Sequence, residues 1–271
     1  MSEELKPQVF SNRWADAVGP GGHGSPRDLC GCIEQISTEP QRPTRFHRER
    51  QDTTAPGWIR LLELVEEAAA DGREVFKPLV ELTAEQRRQV VTLPPTIAKL
   101  TSVKHLVLYG SNLVRIPPEI GAMRSLEEFT PYTSYRLHWF PYEITRCPDL
   151  RRSTVSTRAI YGNDKRRPPF PSLSAAATGT QGIDLEDLDP GVWGATSIRT
   201  CSVCDQHIEG VNLHQAWISL WTSGADVLPL LVNACSTTCI EALSVPPEGY
   251  VQVPHSGGPG VEQPPAGRQP R

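Results

Sequence analysis

The sequence predicts an α/β protein: a short solenoid of stacked coils behind a helical N-terminal cap, then a small cysteine-stapled hairpin and helix, with disordered ends. Three observations carry that expectation. From Leu93 onward the same chemistry returns at shifts of 23 and 24 residues, two helix-like segments precede it, and four cysteines form two close pairs further on. The boundaries this implies are 1–55 without structure, 56–173 for cap and repeats, 174–191 for an acidic flexible linker, 192–246 for the cysteine module and 247–271 for a Pro- and Gly-rich tail.

A chain of 271 residues is long enough for one or two domains with real cores, but its 26 Pro and 21 Gly cluster at the ends and around 174–191. The formal net charge of -4 supplies no field to attract a nucleic acid or an anionic membrane. No apolar run reaches the roughly 18–20 residues of a membrane span, and MSEELKPQVF lacks a basic start followed by an apolar block. A cytoplasmic protein without a membrane partner is expected. Residues 1–55 hold VGPGGHGSP and RPTRFHRER without sustained periodicity. Cys30 and Cys32 are read there as unstructured thiols, and Arg42, Arg45, Arg48 and Arg50 as part of a solvated tail rather than a phosphate site.

A helix is predicted from Trp58, because Trp58, Leu61, Leu62, Val65 and Ala69 share one face and Asp71-Gly72 ends the pattern. A second helix follows Thr83. Thr83 and Gln86 have capping-box spacing, in which hydroxyl and amide each satisfy a free backbone N–H of the first turn.

The repeat comes next. LPPTI at 93–97 becomes IPPEI at 116–120 and FPYEI at 140–144, while Leu100, Met123 and Cys147 follow in register, as do Val103, Leu126 and Leu150. Each unit reads as a short strand, a turn and a return segment that cannot bury its apolar side alone, so the units must stack. The prolines fall on the return arc, where no ladder N–H is required. This pattern resembles the leucine-rich repeat family, over about residues 93–163. There are departures: Ser111 stands in the family's asparagine slot with Asn112 one place late, Pro131 holds a strand position, an extra residue precedes Phe140, and Ser153 replaces an apolar residue. So short an array needs end caps, for which the preceding helices and the segment 165–173 are candidates.

Alternation along the strands puts His105, Val107 and Tyr109 on the open face, beside Glu128, Thr130 and Tyr132, with Arg152, Thr154 and Ser156 beyond. Lys104, Glu127 and Arg151 form a second row of alternating charge, poised to pair across strands. The face is either a self-satisfied surface or a binding platform. In the second case His105, Tyr109, Glu128, Tyr132, Tyr135, Trp139 and Arg152 are its candidate contacts, since aromatics give large contact area at low entropy cost. His105 and His138 have no nucleophile or acid placed beside them. Cys147-Pro148-Asp149 is similar to the Cys-x-Asp motif of bacterial leucine-rich-repeat ubiquitin ligases, yet Cys147 falls where Leu100 and Met123 fall, which predicts a core residue.

CSVC at 201–204 and CSTTC at 235–239 are the second chemical feature. A two-residue gap lets one turn offer two thiolates to one ion, and together with the second pair, whose gap is the less usual three residues, it closes a tetrahedral zinc site with no open position for water. VNLHQAWISLWT and VLPLLVNA read as a hairpin that returns the second pair to the first, and Ser236 as the cap of a helix containing Cys239. The arrangement resembles zinc-ribbon and treble-clef knuckles, which implies structural zinc on Cys201, Cys204, Cys235 and Cys239. Disulfides, free thiols or redox thiols are the alternatives, and His207 and His214 are read as ordinary polar residues.

These features point to a non-enzymatic protein-interaction module with an unidentified protein partner. A nucleic-acid-binding zinc module is the first alternative, but residues 192–246 contain Arg199 as their one basic Arg or Lys. A ubiquitin-ligase-like or thiol enzyme is the second.

Overall fold

Pro56 in the first turn, where a missing N–H costs nothing, and Gly72 just past the last turn bracket helix α1 (Pro56–Asp71). Gly72 adopts φ 65°, the left-handed conformation that closes a helix, and its N–H returns to the Ala68 carbonyl. The structure, a computed structural model, describes residues 47, 49–134, 136–153, 155, 169–170, 172–173, 200–208, 213–223 and 226–264. The linker 174–191, Cys30, Cys32 and Tyr135 lie outside them, as does most of 165–173. Within the described residues the fold is mixed α/β, with two small sheets and few helices.

The buried stripe of α1 is Trp58, Leu61, Leu64, Val65 and Ala68. Leu62 and Ala69, which the periodicity assigns to that stripe, are only half-buried at its margin. After strand β1 (Val75–Phe76) comes helix α2 (Ala84–Gln89), with the capping box in place: Gln86 N–H donates to Thr83 Oγ1 at 3.2 Å and Thr83 N–H to Gln86 Oε1 at 2.9 Å.

The repeat then becomes geometry. Strands β2 (His105–Val107), β3 (Glu128–Thr130) and β5 (Arg152–Ser153) join β1 in a parallel sheet of order β1-β2-β3-β5. His105 faces Glu128, and Glu128 faces Arg152, so the register reproduces the shifts of 23 and 24. The three proline-led return segments form 3-10 turns at Pro95–Lys99, Pro118–Ala122 and Tyr142–Arg146. Each closes alike: Leu100 N–H donates to Ile97 O, Met123 to Ile120 O, and Cys147 to Ile144 O. Val103, Leu126 and Leu150, with Leu106 and Phe129, are buried between strands and turns in one continuous core. The coils touch closely at Gly121, where a Cβ would lie 2.6 Å from the Glu143 carbonyl oxygen.

The family's amide ladder has a substitute. Ser111 Oγ and Ser134 Oγ are 2.6 Å apart, both buried and 23 residues apart, and Ser134 also donates to the Leu108 carbonyl. A hydroxyl reaches less far than an asparagine amide but gives and accepts one bond each, which suffices between adjacent coils. The extra residue before Phe140 is absorbed in the loop around Thr133, which takes a positive φ of 62°.

Past the third coil, β4 (Phe140–Pro141) pairs in parallel with β7 (Asp226–Ala234), which pairs antiparallel with β6 (His214–Ser223). The predicted hairpin is therefore present, and it is hydrogen-bonded to the coil stack. Leu213, Ile218, Leu230 and Val232 belong to the same apolar core as Leu61 and Leu126. Part of the segment from 247 is also tied down: Trp217 and His255 exchange backbone hydrogen bonds of 2.8 and 3.1 Å, and Gly258 N–H donates to Phe170 O. An edge strand with unpaired N–H and C=O groups explains this, since buried backbone groups require partners. Burial against Phe170, with ring centroids 4.4 Å apart, pushes the His255 imidazole down to about 4.

Candidate metal centre and open sheet face

The first cysteine pair sits on a knuckle. Cys201 N–H donates to Gln206 O at 2.8 Å, Asp205 N–H returns to Cys201 O at 3.1 Å, and Asp205 takes φ 61° to make the turn. The second pair straddles the end of β7 and helix α3 (Thr237–Glu241), whose cap is Ser236: its Oγ accepts from Cys239 N–H at 3.2 Å. The hairpin length brings the pairs together. The sulfurs of Cys201, Cys204, Cys235 and Cys239 all lie within 4.8 Å of one another.

The spacing fits a shared ion. Cys204 Sγ is 3.5 Å from Cys235 Sγ, and Cys235 Sγ is 3.7 Å from Cys239 Sγ. Ligands at about 2.3 Å from a tetrahedral zinc stand about 3.8 Å apart. None of the five described cysteines forms a disulfide. N–H groups aim at the sulfur most enclosed by protein: Val203 and Cys235 each donate to Cys201 Sγ at 3.4 Å. Burial opposes ionisation of Cys201, but those donors and Cys204 N–H outweigh it and hold the thiol down to about 7. Cys235, hydrogen-bonded to the Cys204 sulfur and crowded by those of Cys239 and Cys201, is pushed up to about 12. A cation among four sulfurs removes that competition by binding all of them as thiolates. The donor set suits a soft or borderline ion, and the cluster can hold a metal. His207 and His214 are not among the cluster's ligand atoms.

The knuckle is locked to the third coil. Arg146, closing the 3-10 turn Tyr142–Arg146, donates to Ser202 O at 2.7 Å and pairs with Asp205 Oδ1 at 2.6 Å. Glu143 on the same turn is 4% exposed, and its carboxyl is hydrogen-bonded by the Ser202 side chain. Sequence reasoning missed both residues. Their signal was only that a charged residue occupies a turn whose counterpart in the first coil is Thr96.

On the parallel sheet, the structure brings four of the seven face residues together. His105 Nε2 lies 3.4 Å from Glu128 Oε1 and 3.2 Å from Thr130 Oγ1. Tyr109 and Tyr132 stack with centroids 5.5 Å apart, and Tyr132 is 36% exposed. Arg152 takes the expected backbone register opposite Glu128. Trp139 does not belong to this face. It is buried against Trp217, 6.4 Å between centroids, because the extra residue in its loop turns the chain toward the hairpin. His138 is buried as well, its ring 5.3 Å from that of His47. The second charge row does not pair within itself: Lys104 pairs across to Glu74 beside β1 at 2.5 Å, and Arg151 reaches Asp149 at 3.5 Å. Cys147 has the core position the repeat assigns it, its S–H 3.4 Å from Ile120 O, and burial pushes its thiol up to about 11.

No protein-family model and no curated protein matches the sequence. Among solved structures, the chain is similar to the leucine-rich repeat domain of the type III effector XopL, at 20% identity and a TM-score of 0.32. The match covers 54% of this chain and 40% of that one.

Proposed function

We propose that the chain is a non-enzymatic protein-docking module: a short leucine-rich-repeat array presenting its open sheet face to a protein partner, with structural zinc on Cys201, Cys204, Cys235 and Cys239. The observation that carries the docking part is the alignment of His105, Tyr109, Glu128 and Tyr132 across two neighbouring strands held by a packed core. A rigid scaffold with stacked aromatics and one acid–base pair binds with little ordering cost. The zinc part is supported by the four-sulfur spacing, and four protein ligands leave no position for reacting water.

Two measurements test this reading. Native mass spectrometry of purified full-length protein should find one zinc per chain, and metal-free protein in which Cys201, Cys204, Cys235 and Cys239 all react with a thiol reagent, with an unchanged circular dichroism spectrum, would overturn the metal assignment. Selection from a displayed protein library should yield binders whose affinity falls at least tenfold with Tyr132→Ala or Glu128→Lys. Binders indifferent to both substitutions would remove the open face from the function.

A further inference from the structure

A separate surface runs along the loop edge of the coils, where residues 47–51 cross the array. Gln51 addresses the first loop: its Nε2 donates to Gln89 O and its Oε1 accepts from Val91 N–H, both at 2.9 Å. Glu49 addresses the next, its backbone carbonyl accepting from Arg115 Nη1 at 2.8 Å. The Glu49 carboxylate also pairs with Arg136 in the loop beyond. There too, His47 lies against His138, with its Nδ1 3.1 Å from Glu49 Oε1. Val91, Arg115 and Arg136 belong to three successive coils, since Val114 N–H bonds Val91 O and Ser111 meets Ser134. His47, Glu49 and Gln51 thus address neighbouring coils through alternate positions, which is how a peptide is recognised in a groove.

We infer that residues 47–51 act as an internal ligand, and that the edge built on Arg115 and Arg136 is a docking site for an extended peptide with a central carboxylate. Arg115 is 2% exposed with Glu49 docked on it, so the guanidinium is enclosed in the bound state. Burial pushes the Glu49 carboxyl up, but its own backbone N–H and the Arg136 charge outweigh that and leave it below the ordinary range, so the bound form is the anion. The hold is polar: among the described residues the apolar core begins at Ala55, and His47, Glu49, Arg50 and Gln51 are not part of it. Polar contacts exchange almost evenly with water, so the segment stays docked chiefly through its tether, whose effective concentration a free peptide must exceed. This edge is separate from the open face, and the inference stands whether or not that face binds a protein.

The test is fluorescence anisotropy with a labelled synthetic peptide spanning residues 44–55, added to the full-length chain. Glu49→Arg in the chain sets a like charge against Arg136 and frees the edge. The peptide should then bind saturably, at least tenfold tighter than to the wild type, and adding Arg136→Glu should abolish the gain. A peptide carrying Lys in place of Glu49 should not bind. Equal binding to wild type and Glu49→Arg, or equal binding of the Lys peptide, overturns the inference. If Glu49→Arg lacks a cooperative thermal transition, Glu49→Ala serves the same comparison with the same two overturning results.

Discussion

The two ends of the coil stack are closed by different physics. At the N-terminal end, α1 lays Trp58, Leu61, Leu64 and Val65 on the first coil, and α2 is fixed by its own capping box. At the C-terminal end, contact is made by a two-residue strand pairing, by Arg146 and Glu143 on the knuckle, and by a hairpin whose base is gathered by four sulfurs. Apolar area accumulates locally along a helix and needs nothing from outside the chain. The hairpin adds Leu213, Ile218, Leu230 and Val232 to the core, but a knuckle of a few residues buries little by itself, and the proposed zinc would supply the rest. The comparison teaches that one array can be capped by two mechanisms that respond to different perturbations.

Metal removal separates them most strongly. Zinc binding by small thiolate sites is worth on the order of 10–16 kcal/mol. Chelation, or Cys201→Ser, is therefore expected to abolish hydrogen-exchange protection over 213–234 while residues 58–68 keep theirs. Equal loss at both ends would dissolve the distinction. The converse perturbation is Leu61→Ala, in a fully buried position of α1. It should cost about 2–5 kcal/mol by chemical denaturation, with the metal content per chain unchanged.

How much of this was legible in the sequence follows from the range of each interaction. The capping box, the hairpin, the Ser236 cap and the coil register are encoded within a few residues or within an exact period, and all appear where the pattern puts them. The four ligand sulfurs were legible because metal geometry demands close pairs. The face was legible only where strand alternation applies. Trp139 was misplaced because one inserted residue shifts the loop, and alternation has no authority beyond the strand. The contacts of residues 47–51, of Arg146 and of Glu143 join segments that share no local pattern, so nothing in composition or spacing announces them.

Glu143 sharpens the contrast further. The equivalent turn position holds Thr96 in the first coil and a half-buried Glu119 in the second, so at this position an ionisable group becomes fully buried only in the coil beside the four sulfurs. Burial holds the Glu143 carboxyl above its ordinary range, and Asp205 adds to that, so the folded chain keeps the proton longer than the unfolded one. Its contribution to stability is complete below the unfolded value of about 4.3 and is lost as pH rises through the folded value. The gap between Glu143→Gln and wild type should close as pH is lowered from neutrality toward the limit at which the thiolates still hold zinc. Above neutrality the variant should be more stable by about 1–3 kcal/mol, the usual cost of an ill-satisfied buried polar group. A pH-independent difference in melting temperature would show that the carboxyl is ionised throughout.

The smallest expected effect lies at the opposite end. Thr83→Ala removes the hydroxyl that accepts from Gln86 N–H but keeps the backbone N–H that donates to Gln86 Oε1, so half of the box survives. Losses of this kind cost about 1 kcal/mol. The helix it caps spans only Ala84–Gln89 and contributes no buried residue of its own, so the damage should stay local, to fraying of α2 over Gly57. Gln86 packs too closely there for any side chain at residue 57, its carbonyl oxygen 2.3 Å from where a Cβ would be. Gly57→Ala should therefore destabilise more than Thr83→Ala, although Thr83 anchors the visible hydrogen bonds. If the order is reversed in denaturant titrations, the N-terminal cap depends on its polar box, and the division of labour between the two ends is drawn in the wrong place.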